Sequence, residues 1–319
     1  MGIAARATLL CGLTPLFTTA AAAQQGTLRE QCVAAASAQV RAFCENVADA
    51  ATIIQPRIGI AASGGNPVPG TASTMGMRLG SMPRVGLGLR VSAANVELPP
   101  IERVGQARAI SFPVGTIAAD ATVGLYRGIA LLPTVGGFAS IDLLGSVGVL
   151  PLPRGEGFDD SAAMTWAVGA RLGVLRESFT APGVSVDVMY RSLGDVAYGS
   201  ADLSDRDAFL GVSDYRVASV RGVVGKRVLG FGATAGAAYD HYTADVAGRV
   251  LQPEGTLEVR QADLSTRRVS LFANASLTIL ILNMAAEMGW QRGGTARPGA
   301  STLIENGGLF GGIAVRLAI

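Results

Sequence analysis

Met164-Thr165-Trp166-Ala167-Val168-Gly169-Ala170-Arg171-Leu172-Gly173-Val174 is the stretch whose reading decides the fold. Every even residue is apolar, and every odd residue is small or polar. Val85-Gly86-Leu87-Gly88-Leu89-Arg90-Val91 repeats the pattern, and so does the run from Leu282 to Gln291. A period of two is the signature of a β-strand with one apolar and one polar face. Here the apolar face is long, and the polar face carries glycine and charge. A strand between lipid and a polar interior reads this way.

Composition narrows the choice. The chain has 319 residues, of which 16% are charged, and its mean hydropathy is +0.38. No run of about 18 apolar residues follows the first segment, so spanning helices are not expected. High hydropathy without such a helix leaves a buried α/β core or a membrane barrel. The 42 glycines and the scarcity of helical periodicity favour the barrel. The net charge of +2 and the lack of a basic cluster argue against nucleic acid as a partner.

The chain opens like an export leader. Arg6 supplies the positive region, residues 7–22 are small and apolar, and Ala21-Ala22-Ala23 precedes Gln24 as a cleavage site. Residues 1–23 are therefore expected to be a signal peptide, carrying Cys11 away. Cys32 and Cys44 remain, an even pair in an exported protein, and are expected to form a disulfide. One straight helix would hold them about 18 Å apart, out of bonding reach. If they pair, this segment must fold back as a short helical hairpin. Two thiols with no nearby histidine do not make a metal site.

Two regions follow the leader. Residues 24–55 form a helical N-terminal segment, ended by Pro56, that is either a plug or a periplasmic hairpin. Residues 56–319 form the barrel. Strands are expected near 57–62, 74–80, 84–96, 117–129, 138–150 and 162–175. Six more fall near 184–196, 214–225, 229–242, 268–280, 282–291 and 308–318. That makes about twelve, with ten to fourteen as the range. The connections alternate long and short, the long ones (97–116 and 243–267, for example) all at one end. Short turns at one end, long loops at the other and an even strand number characterise bacterial outer-membrane barrels.

From about residue 57 to the C-terminus the chain resembles bacterial outer-membrane β-barrel proteins as a broad class. The resemblance rests on pattern and not on a diagnostic motif. It implies a Gram-negative outer-membrane location after export, with outer-membrane lipid and lipopolysaccharide around the barrel. It also implies insertion by the barrel-assembly machinery. Proteins of this class usually end in an aromatic residue that the machinery reads. This chain departs from that and ends Val315-Arg316-Leu317-Ala318-Ile319.

The pleat sorts the charges. If Leu79, Leu89, Val123, Leu143, Leu172, Val188, Ala237, Met288 and Val315 face lipid, their neighbours face the lumen. The expected lumen-lining charges are Arg78, Arg90, Arg171, Arg191 and Arg316, with Asp120, Asp142, Asp187, Asp240 and Glu287. An arginine on the lipid face at mid-depth would cost about 2–4 kcal/mol. Two readings stay open: a salt-bridge network that fills the lumen, or a charged lining that sets the selectivity of a solute path. Small inward residues such as Gly86, Gly88, Ala167, Gly169, Gly232 and Gly312 leave space for either water or the N-terminal plug.

No catalytic constellation is apparent. His241 is the only histidine, in phase with the lipid-facing Ala237 and Tyr239 near a rim. No cofactor is expected, and the chain is not read as an enzyme. Tyr126, Trp166, Tyr190, Tyr198, Tyr239, Tyr242 and Trp290 are expected to form interfacial girdles. The function expected is a narrow, porin-like passage for a small, unidentified solute. The alternative is a structural or surface-interaction barrel with a salt-bridged, closed lumen.

Overall fold

The computed structural model describes residues 27–38, 40–75, 84–101, 109–130, 136–153, 157–158, 162–179, 181–199, 203, 208–295 and 301–318. The leader, Cys11, Leu79 and Arg78 lie outside these residues. Two helices come first, α1 (Leu28–Ala35) and α2 (Arg41–Ser63). Then come β1 (Val85–Leu98), β2 (Ile110–Tyr126), β3 (Ser140–Pro151), β4 (Ala162–Leu175), β5 (Gly183–Leu193) and β6 (Val196–Gly199). They are followed by β7 (Ala208–Val228), β8 (Phe231–Gln252), β9 (Gly255–Ile279), β10 (Leu282–Gln291) and β11 (Gly308–Ala318).

Ten of the strands close an antiparallel barrel. Each pairs with the next, β5 pairs with β7, and β11 closes on β1 with Leu89 opposite Val315. The eleventh, β6, prolongs the β5 edge along β7, with Val196 opposite Val212. Ten of the twelve expected strands make this wall. The strand expected at 57–62 is helix instead. Thr74 and Met75 lie in no strand, and 76–80 fall outside the described residues. The loop expected at 243–267 is the far half of β8 and β9, two long strands joined only at residues 253–254. Short turns at 229–230 and 280–281 mark the opposite, short-turn end.

Exposure alternates along the wall as the sequence pattern requires. Leu89, Leu143, Leu172, Val188, Met288 and Val315 are exposed, while Arg90, Asp142, Arg171 and Asp187 beside them are buried. So large an aliphatic surface is stable only against an apolar medium. The face turned away from the lumen is therefore the lipid face.

The lumen is occupied. A capping box starts α1: the Glu30 N–H donates to Thr27 Oγ1, and the Thr27 N–H donates back to Glu30. The Cys32–Cys44 disulfide, with Cα atoms 5.5 Å apart, ties α1 back onto α2 as a helical hairpin. This hairpin sits at the long-loop end. From it α2 descends inside the barrel, and residues 64–75 continue to the short-turn end, where the Met75 N–H meets Asp142. Among the described residues no helix is long and apolar enough to cross a membrane; α2 runs inside the protein wall.

Pro56 does not end α2, which continues to Ser63. An internal proline costs about 3 kcal/mol. Against this, Phe43, Val47, Ile53, Ile54, Ile58 and Ile60 are all buried, at about 1.5–3 kcal/mol each. Burial outweighs the proline several-fold. A helix buried on nearly every side belongs inside a protein, and the apolar run 58–62 mimics a buried strand. Gly59 gives α2 its close approach to the wall, since a Cβ there would strike Tyr215 and Tyr242. Gly64 ends the helix at a φ of 61°.

Candidate functional site

Among the described residues, the charges singled out from the sequence converge with the N-terminal segment in the lumen, which has two unlike halves. Towards the long-loop end its lining is apolar. Val96, Leu98, Phe112, Leu150, Leu210 and Val212 pack with α2 in one buried cluster. Tyr215, buried in the same cluster, donates its hydroxyl hydrogen to the Gln55 carbonyl. Gln55 is also held by its side chain: Nε2 donates to the Leu264 carbonyl at 2.7 Å, and Oε1 accepts from Thr266 Oγ1 at 2.6 Å.

Towards the short-turn end the lining is ionic and is bonded to the extended run 64–75. Arg171 lies at the centre, with a side-chain exposure of 0%. Its Nε donates to Asp187 Oδ1 at 2.6 Å and its Nη2 to Asp187 Oδ2 at 3.0 Å. Nη1 and Nη2 also reach the Thr71 carbonyl at 3.1 Å and Asn66 Oδ1 at 2.7 Å. One guanidinium thus joins the wall to the plug through a two-toothed ion pair and two further bonds. The register explains the pair, since Arg171 and Asp187 stand directly opposite on β4 and β5.

The other expected charges behave similarly. Arg90 pairs with Asp120 at 3.1 Å and donates to the Ser63 carbonyl at 3.2 Å. With Ser92 Oγ, which donates to the Ala61 carbonyl at 2.7 Å, it satisfies the last carbonyls of α2 and sets a cation at the negative end of the helix dipole. Glu287 takes the backbone N–H groups of Gly65 and Asn66 at 2.5 and 2.7 Å, and Asn274 Nδ2 at 2.8 Å. It ties down the chain just beyond the helix. Asp142 accepts from Met75 N at 2.6 Å. Asp240 pairs with Arg221 at 3.3 Å, and Arg221 also donates to the Gly65 carbonyl at 2.8 Å. Arg191 and Arg316 point inward without a carboxylate within ion-pair distance among the described residues, and Arg191 Nη1 has no hydrogen-bond partner there. Arg78 lies outside the described residues.

Arg221 was not among the expected charges. Its strand carries valine on both faces (Val217 and Val223 inward, Val220 and Val224 outward), so the contrast that marks a lumen face is weak there. The plug contacts of Asn66, Thr71 and Gly65 leave no trace in strand periodicity at all. Tyr198 and Tyr242 are fully buried and so are not girdle residues, whereas Trp166, Tyr190, Tyr239 and Trp290 face outward.

At mid-depth a void of about 10 Å³, about the size of one water, lies beside Pro69, Arg90 and Glu287. Larger cavities flank it, about 620 Å³ at the long-loop mouth beside Arg29, Asp49 and Arg268 and about 580 Å³ at the short-turn mouth beside Arg84, Arg176 and Arg227. At the long-loop mouth burial pushes the Asp49 carboxyl above its ordinary range, against the opposing pull of the Ser301 N–H and Arg29.

His241, on β8, faces away from the lumen. Its Nε2 is 3.3 Å from Ser265 Oγ, and its Nδ1 accepts from Arg267 Nε at 3.4 Å. A serine–histidine pair needs an anion to orient the ring and stabilise the imidazolium; here the third group is a cation. No group of three or more metal-ligating side chains occurs among the described residues.

No protein-family model matches the chain, and no curated protein is similar to it. Solved structures similar to it include the outer membrane protease OmpT from Escherichia coli, at 11% identity over 74% of this chain and 95% of that one, with a TM-score of 0.36. The translocator domain of the autotransporter NalP from Neisseria meningitidis gives 12% identity over 75% and 89%, with a TM-score of 0.44. An outer membrane channel from Pseudomonas putida F1 gives 8% identity over 76% and 97%, with a TM-score of 0.34.

Proposed function

We propose that this protein is an exported outer-membrane barrel whose lumen is permanently closed by its own N-terminal segment. Its role is then structural or interactive at the membrane surface, without catalysis and without solute passage. The observation that carries this reading is the apolar packing of α2. Withdrawing the six large side chains from Phe43 to Ile60 would expose apolar surface worth on the order of 10 kcal/mol. That equals the whole stability of a typical domain. A gate works against a few kcal/mol; a plug held this firmly belongs to the fold. The polar knot at Arg171 adds to the hold. The outward cation beside His241 supports the absence of hydrolytic chemistry.

The competing reading, a narrow pore, draws on the two mouth cavities and the charged inner lining. It requires residues 64–75 to move aside while α2 stays in place. Planar-bilayer recording of the full-length protein separates the two. A correctly folded barrel that stays electrically silent is the result expected. Reproducible unit currents from the oxidised, full-length protein would overturn the closed reading and establish the pore.

A further inference from the structure

Three apolar residues stand exposed at the tips of the short-turn end, around a mouth that also carries Arg84, Arg176 and Arg227. Phe179, in the connection after β4, is 99% exposed, and the turn residues Leu229 and Leu280 are 95% and 94% exposed. Both leucines also have positive φ, 50° and 54°. Two-residue hairpin turns place glycine, asparagine or aspartate at such positions. A branched aliphatic residue there is disfavoured by the backbone and, in water, by the solvent as well.

Strand length gives the reason. On β10 the outward residues run from Trp290 to Leu282, eight residues apart. With about 3.4 Å per residue and a tilt of about 40° this spans roughly 21 Å. The apolar band of a membrane barrel is about 25 Å tall. At the upper limit, Arg267 and Arg292 follow directly on Val269 and Trp290 along their strands, so the band cannot extend that way. The missing height, about 4 Å, lies at the other end, where Leu280 and Ile281 stand. The apolar surface is continuous across that edge, through the exposed Val228, Phe231, Ile279 and Ile281.

Lys226 supplies a second, independent observation. It shares the phase of the lipid-facing residues of β7, two positions from Val228. Its ammonium donates to the carbonyls of Ser178, Phe179 and Ala181, at 2.5, 2.8 and 3.1 Å. All three of its protons are used within the protein, so the charge needs no water.

We infer that the short-turn rim is immersed in lipid, with Leu229, Leu280 and Phe179 inserted among the acyl chains of the leaflet at that end. The occupant is phospholipid hydrocarbon. This rests on the lipid-facing band and is independent of whether the lumen conducts. Two measurements on the full-length protein in phosphatidylcholine vesicles test it. In a Trp166→Phe, Trp290→Phe background, Ile281→Trp and Phe179→Trp should each emit at short wavelength. Each should lose most of that emission when the lipid chains are brominated, and little to aqueous iodide. Emission quenched by iodide, or protected from both quenchers as in a protein contact, would overturn the inference. The second measurement is a sign. Asparagine tolerates positive φ, so Leu280→Asn should raise the urea midpoint if the turn stands in water. The inference requires the midpoint to fall; a rise would overturn it.

Discussion

The two halves of the lumen hold the same N-terminal segment by opposite means. Near the long loops α2 is gripped by aliphatic and aromatic side chains, as in the core of a water-soluble protein. Near the short turns the extended run 64–75 is gripped by arginines and carboxylates, with backbone groups as partners. Apolar packing tolerates small shifts at small cost. The ionic half does not, because its paired charges, Arg171 with Asp187, Arg90 with Asp120 and Arg221 with Asp240, are stable only while each partner stays within reach. The apolar half therefore supplies most of the adhesion, and the ionic half fixes the position of the plug along the axis.

The sharpest way to break this comparison is at Arg171. Arg171→Ala leaves Asp187 buried and alone, and should cost about 3–5 kcal/mol, read as a lowered urea midpoint in lipid or detergent. The pair replacement Arg171→Met with Asp187→Leu should recover most of that loss, because two matched apolar groups need no partner charge. A loss below about 1 kcal/mol for the single change would show that the ionic half contributes little hold. Next in size is Ile54→Ala in the apolar half, expected to cost about 2–4 kcal/mol. No partner replacement should rescue it, since what it leaves is a cavity. The smallest effect is at the disulfide. Replacing Cys32 and Cys44 by serine should cost about 2–3 kcal/mol at most, from the loop of 12 residues that the bond closes. The barrel itself should still show heat-modifiable mobility, because α2 remains packed without the tie. Collapse of the whole barrel on reduction would make the hairpin, and not the packing of α2, the dominant hold.

The wall was legible in the sequence because a strand between lipid and a polar interior contrasts its two faces residue by residue. Leu172 beside Arg171, and Met288 beside Glu287, announce both the period and the phase. Legibility fails where that contrast vanishes. Along 58–62 everything is small or apolar because everything is enclosed, so Ile58 and Ile60 suit a buried strand as well as a buried helix. Pro56, an ordinary helix terminator, is overridden by tertiary packing. In 243–267 the strands rise beyond the lipid band, and their outward residues turn polar, as at Thr243, Asp245 and Ser265. The hairpin then reads as a loop although its backbone ladder is intact. The lumen charges were found through phase alone. Their partners on residues 64–75 were not, because a carbonyl of Gly65 or Thr71 accepts a bond whatever its side chain.

The path of the plug also constrains the order of assembly. The wall is completed by its first and last strands, with Gly86 opposite Ala318, so the seam joins the two ends of the barrel sequence. Pairing at so large a separation is the slowest kind of contact to form. A ring sealed before its contents arrived would have to admit a two-helix hairpin end-on past the arginines of the lumen. A ring that stays open along one side can fold around it. The slow seam leaves time for that, so a sheet that closes last between β1 and β11 can be rolled around the N-terminal segment.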